Sequence, residues 1–201
     1  MKANLNTISK RAHKILDNPM HLNPGIESDF LVTLDSSDKI LTVFHQGTSG
    51  EIELIFGEVL SILVKNKTIS EVWKINYREV ESFLRDENHL QAFGEPVEEL
   101  DKILTVSKIT LIAEAIKGRG GEKFVTLKEI MFDWENLSLV AKNQWASEFL
   151  ELVGFELVFC DESLLTFTNF PKDLLRSELE ILVQKILGGG EIVLPMKVVA
   201  V

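Results

Sequence analysis

Carboxylates crowd one short region of this chain: Glu27 and Asp29 precede one apolar run, and Glu51 and Glu53 open the next. Acidic pairs of this kind bind hard cations or share a proton. Each also has a structural use, because Glu51 can serve a helix cap and Asp29 can end a strand, so solvated or capping carboxylates are the default. His13, His21, His45 and His89 fall in separate local elements without HxH or HxxxH spacing, so none forms a motif. His45, at a strand end beside Gly47, is the best placed of them for chemistry. The single cysteine, Cys160, lies in the apolar run FELVFC and reads as a small buried hydrophobe before it reads as a nucleophile. Gly118, Arg119, Gly120 and Gly121 offer amides and a guanidinium to an anion. They lack the preceding strand and the following Lys-Ser or Lys-Thr of a phosphate loop, so a junction is expected there. Trp73, Trp134 and Trp145 have spacings that suit core packing, and no nucleophile elbow, nucleotide fingerprint or basic aromatic groove is present.

The elements that must position these residues are organised around 47–73. Ile52, Leu54, Ile55, Phe56, Val59, Leu60, Ile62 and Leu63 fall on nearly every side of a helix, which is tolerated only when most of its circumference is covered. Thr48 is the expected N-cap, with Glu51 at the third helical position. Glu53 and Glu58 interrupt the apolar run, and Gly57 is expected to allow close approach of a neighbouring backbone. Asn66 suits a left-handed C-terminal position. Thr68 with Glu71 and Asn76 with Glu79 open two further short helices.

Before the central helix, a short amphipathic helix is expected from Asn6 or Thr7 to Leu16, then a hairpin of Asp29–Leu34 and Ile40–His45 around the turn 35–38. After it, Val97–Lys117 reads as a long helix ending at the glycine run. Thr126–Phe132 and Leu137–Leu152 read as helices, Phe155–Cys160 and Leu164–Phe170 as a second hairpin. A helix from Pro171 carries Leu174 to Ile186, and a last strand, Glu191–Val199, contains Pro195 and so belongs at an edge or bulge. Such a strand is expected to be covered within the chain or by a second copy. The expected class is α+β, with units at 1–118 and 122–201.

Composition bounds the function. With 201 residues, 45% of them hydrophobic, the chain can bury a core. A net charge of −10 opposes binding to nucleic acid and to anionic lipid. One cysteine excludes internal disulfides and cysteine-cluster metal sites within one chain. No apolar stretch suits a secretory signal or a membrane span, and a cytoplasmic protein is expected.

Several pieces come in a recognisable order: DNP at Asp17–Pro19 with Gly25 soon after, the hairpin opening near Glu27-Ser28-Asp29, the turn GTSG, the central helix, and NKT at Asn66–Thr68 before Ile69–Trp73. This order resembles the N-terminal domain of the IscU and NifU iron–sulfur scaffolds over roughly the first 118 residues, and more distantly the SufE sulfur acceptors. The resemblance implies an antiparallel hairpin-containing sheet packed against helices, followed here by a smaller C-terminal α+β unit. It also implies a site at Glu27, Asp29, Gly50 and Lys108, where Lys108 is the second member of a pair with Ser107. The family's thiolates would fall at Glu27, Gly50 and Lys108, and none is a cysteine. Only Asp29 matches a family site residue, and 101–105 does not reproduce the family's proline-rich chaperone segment.

The expectation is therefore a degenerate scaffold: a non-catalytic binding or regulatory module linked to cluster assembly, with a protein partner, room for homo-oligomerisation, and no resident cofactor, metal or iron–sulfur cluster. Alternatives from other classes are a small-molecule or metal-dependent enzyme using Asp29, Glu27 and His45, and a true scaffold that uses Cys160 or a dimer.

Overall fold

The structure, a computed structural model, describes residues 8–47, 50–94, 96–132, 138, 140, 141, 144, 147, 156–160, 164–168, 181 and 197–200; side chains are described as far as 118 and at the isolated later positions. Its order is α1 (Lys10–Asp17), β1 (Phe30–Leu34), β2 (Ile40–His45), α2 (Glu51–Leu63), α3 (Ile69–Trp73), α4 (Tyr77–Leu84), α5 (Val97–Phe132), β3 (Glu156–Cys160), β4 (Leu164–Thr168) and β5 (Lys197–Ala200). The class is α+β.

The hairpin follows from its turn and its alternation. Asp35 accepts the backbone N–H groups of Ser37 and Lys39, and Asp38 takes a left-handed φ of 59°. That chemistry closes the turn and sets Phe30 opposite His45 and Val32 opposite Val43 in an antiparallel ladder. Phe30, Val32, Ile40 and Val43 point to the core, while Leu31, Leu41 and Phe44 face outward.

Beneath that face lies α2. Ile52, Ile55, Phe56, Val59 and Leu60 are fully buried, as the apolar run on all sides requires. Its start differs from the expectation: Gly50 is the N-cap, without a side-chain bond, and Glu51 is the first helical residue. Thr48 lies outside the described residues. Asn66 has the expected left-handed conformation, with φ 64°. Both expected capping boxes are formed, Thr68 with Glu71 and Asn76 with Glu79. In α1 the cap is Ser9, whose hydroxyl accepts the Ala12 N–H, so the helix begins later than expected and ends at Asn18 as expected.

The largest departure is α5. It does not end at Lys117 but continues through Gly118–Gly121 to Phe132 and absorbs the helix expected at 126–132. Glycine lowers helix stability by roughly 1 kcal/mol per residue against alanine, but extending an established helix needs no new nucleus. The turns before the glycines are anchored by buried Leu100, Leu104, Ile109, Leu111, Ile112 and Ala115. Helical backbone at 118–121 also leaves no loop to cradle an anion.

Farther on, β3 and β4 form the expected antiparallel pair, and β5 joins β4 in parallel, which covers one of its edges within the chain. Only part of the expected last strand is described, and Pro195 lies outside it. Positions 140, 141, 144 and 147 of the helix expected at 137–152 are helical. The helix expected after Pro171 lies outside the described residues except for Ile181, which packs against the first core.

Candidate functional site

A carboxylate in the middle of a helix surrounded by apolar side chains must find donors or lose its charge. Glu58 of α2 is 2% exposed. Its Oε1 accepts the His21 backbone N–H at 2.6 Å and His45 Nε2 at 3.1 Å, and its Oε2 accepts His21 Nδ1 at 2.9 Å. The local fold that brings these together is the loop after α1. There, the His45 N–H donates to the His21 carbonyl at 3.0 Å and the Asn23 N–H to the His45 carbonyl at 2.8 Å, so the loop runs along the end of β2. Gly57 completes the arrangement, because a Cβ there would lie 2.8 Å from the His45 ring. The close approach expected at this glycine is thus made by an imidazole and not by backbone.

Burial acts to raise the Glu58 pKa, but the bonds from the His21 ring, the His21 backbone and His45 outweigh it and hold Glu58 below its ordinary value. For His45, burial is the largest influence and pushes the imidazole pKa down against the opposing pull of Glu58. Glu58 is therefore ionised and His45 neutral at pH 7. An ionised carboxylate only accepts, so Nε2 carries the His45 proton and Nδ1 is left with a lone pair.

A cavity of about 320 Å³ opens beside this cluster. Asp29 and Phe30 reach it from the start of β1, His45 and Gly47 from the end of β2, Glu53 and Gly57 from α2, and Lys102, Ile103, Val106, Ser107 and Thr110 from α5. Glu53 Oε2 is shut off from solvent and has no hydrogen-bond partner among the described residues. Thr110 spends its hydroxyl proton on the Val106 carbonyl at 2.9 Å. Chemically the cavity offers an imidazole backed by a carboxylate, the half-buried carboxylate of Glu53, the exposed one of Asp29 and an apolar wall. Among the described residues no group of three or more His, Cys, Asp or Glu is arranged to hold a metal ion.

Of the positions expected from the sequence, Asp29 lines this cavity, while Glu27 and Gly50 do not. Glu27 is exposed and Gly50 caps α2. Lys108 turns away into the core: it is 8% exposed, and its Nζ donates to the carbonyls of Ile75 at 2.7 Å and Trp73 at 3.4 Å. Its neighbour Ser107 is the member of that pair on the cavity. Cys160 lies in β3, opposite Leu165. His89 is exposed beside Glu87, and Trp73 is buried in the core. Glu58 and His21 are the residues that sequence reasoning passed over. The available signal was a carboxylate directly after a glycine in an otherwise apolar helix.

No family model, curated protein or solved structure matches the chain. No described helix is long and apolar enough to cross a membrane.

Proposed function

We propose that the chain is a cytoplasmic, scaffold-like module of the IscU and NifU type that binds a small ligand in place of an iron–sulfur cluster and acts on a protein partner in cluster assembly. The observation that carries this reading is the position of Asp29 and Ser107. The resemblance assigns the hairpin start and the long helix to one site, and these two residues line one cavity. The side chains there are carboxylate, imidazole, ammonium and hydroxyl, and iron–sulfur clusters require thiolates. Reconstitution of the purified chain with iron and sulfide is expected to leave it colourless. A brown protein with stoichiometric iron and sulfide would overturn the reading and make Cys160→Ser the next variant to examine.

A second reading, an enzyme for a small molecule, is favoured by the Glu58–His45 pair. A neutral imidazole held in one tautomer by a buried carboxylate is an effective proton acceptor. If a substrate is found by screening, His45→Asn should lower kcat by about 10²-fold or more. Turnover unchanged in that variant would remove this reading.

A further inference from the structure

The segment between α1 and β1 is tied to the rest of the protein through one carboxylate and one strand end. Glu58 accepts the His21 backbone N–H and the His21 ring, and the neighbouring Met20 N–H adds to the stabilisation of its charge. At the end of β2 the His45 N–H donates to the His21 carbonyl, and the Asn23 N–H donates to the His45 carbonyl. The Leu22 side chain rests over Gly47, where a Cβ would lie 2.3 Å from Leu22 Cδ1. No residue from 18 to 25 is buried, and Met20 is 77% exposed. This stretch can therefore leave without emptying the core. Its two ends are held separately, because Asn18 bonds back to Lys14 of α1 and Gln46 donates to the carbonyls of Ile26 and Asp29.

Glu58 is also shared by a second imidazole, since His45 Nε2 donates to it from β2. One carboxylate balances one imidazolium, so protons on both rings leave an excess positive charge in the cluster. The His45 side chain is fixed in β2 and 3% exposed, whereas that of His21 is 27% exposed on a segment with no buried residue. We infer that residues 19–25 form an acid-released strap, which parts from Glu58 and from the end of β2 when both histidines carry protons, while the core stays folded. The sign follows from the closed state. There burial and then the His21 charge hold the His45 pKa down against the pull of Glu58, so opening takes up protons and acid favours it. Asp29 before β1, Glu53 of α2 and Lys102 of α5 line the same cavity as His45, and none of them lies on the strap to move with it. Opening uncovers the His45 N–H and carbonyl on the edge of β2 and lifts Leu22 from Gly47. This rests on the Glu58 cluster and is independent of whether the cavity holds a ligand.

Amide hydrogen exchange of the full chain reads the strap directly, when expressed as protection factors that cancel the intrinsic pH dependence of exchange. The reporters are the His21, Asn23 and His45 amides, and Leu60 and Ile112 serve as core references. The ring-proton shifts of His21 and His45, followed on the same samples, show when each ring takes its proton. As pH falls from 7 through the later of these two titrations, the reporters are expected to lose at least about tenfold more protection than the references. His21→Asn keeps a donor for Glu58 and removes one of the two protons. At the same acidic pH its Asn23 and His45 amides should stay within about threefold of their protection at pH 7. The inference is overturned if the reporters keep their protection, if they lose it only in step with the references, or if the loss is complete before the later ring titrates. It is equally overturned if the chain unfolds before both rings are protonated, or if the strap of His21→Asn opens with acid as the parent does.

Discussion

His45 and Glu58 make acid stability a property of individual side chains. Both have folded-state pKa values below their ordinary ones, so at a given acidic pH the unfolded chain binds more protons than the folded one. For His45 the stabilisation is complete above the unfolded value of about 6.5 and is lost as pH falls toward its lower folded value. For Glu58 it is complete above about 4.3 and is lost below that as the carboxylate protonates. The two have the same sign. The urea midpoint is therefore expected to hold steady from about pH 8 to 7 and to fall progressively from about pH 6.5 downward. A midpoint that rises on acidification from pH 7 to 5 would contradict the assignment of His45 as neutral. Glu58→Gln should lower stability at pH 7 by about 1–3 kcal/mol and make the decline below pH 4.3 shallower, the remainder coming from Asp35, Glu71 and Asp86, whose carboxyls are also held below their ordinary values by backbone hydrogen bonds. At the adjacent residue, Gly57→Ala puts a methyl 2.8 Å from the His45 ring. Although alanine favours helix, overpacking of this kind costs about 1–3 kcal/mol and displaces the ring, visible as altered His45 proton shifts. A variant as stable as the parent with unchanged shifts would mean that the ring does not rest on Gly57.

Helix α2 is the element on which both core and site depend. Ile55 and Val59 are fully buried on it, so Ile55→Asp or Val59→Asp places an unpaired carboxylate in apolar surroundings. The cost is several kcal/mol against a typical total of about 5–15, enough to unfold the surrounding structure. Lys67→Ala, at a partly exposed position beyond the helix, should change the denaturation midpoint little. Equal midpoints for the two classes would show that α2 is not buried. The elements most legible in the sequence were those fixed by neighbours a few residues apart. Thr68 reaches the Glu71 N–H, Asn76 the Glu79 N–H, and Asp35 closes the first hairpin. Less legible were ends without such a side chain. The start of α2 at Gly50 has no side-chain cap, and α5 crosses its glycines because packing on the preceding turns holds it.

For the whole molecule, the described buried core runs from Ile8 to Ile116, and Ile181 from the later half packs against it. A fragment of residues 1–118 is therefore expected to unfold cooperatively in urea, at a somewhat lower midpoint than the full chain. A fragment without a cooperative transition would show that the first core depends on the later half. The division at 118 expected from the glycine run lies within the backbone of α5, so any such boundary falls inside a helix and not in a loop.

The sequence by itself determined the α+β class, the two hairpins, the burial of α2, the capping boxes and the absence of thiolates at the positions that the resemblance assigns. These depend on periodicity, on side chain to backbone bonds between near neighbours, or on residue identity. Only the tertiary structure decided the site. Glu58 meets His21 from 37 residues away and His45 from 13, and no local pattern records such a meeting. Whether Ser107 or Lys108 faced the cavity was likewise settled by packing. The Lys108 amine finds the carbonyls of Trp73 and Ile75 in the core, which leaves the adjacent serine on the open side of α5. A buried charge takes its meaning from partners that only folding supplies.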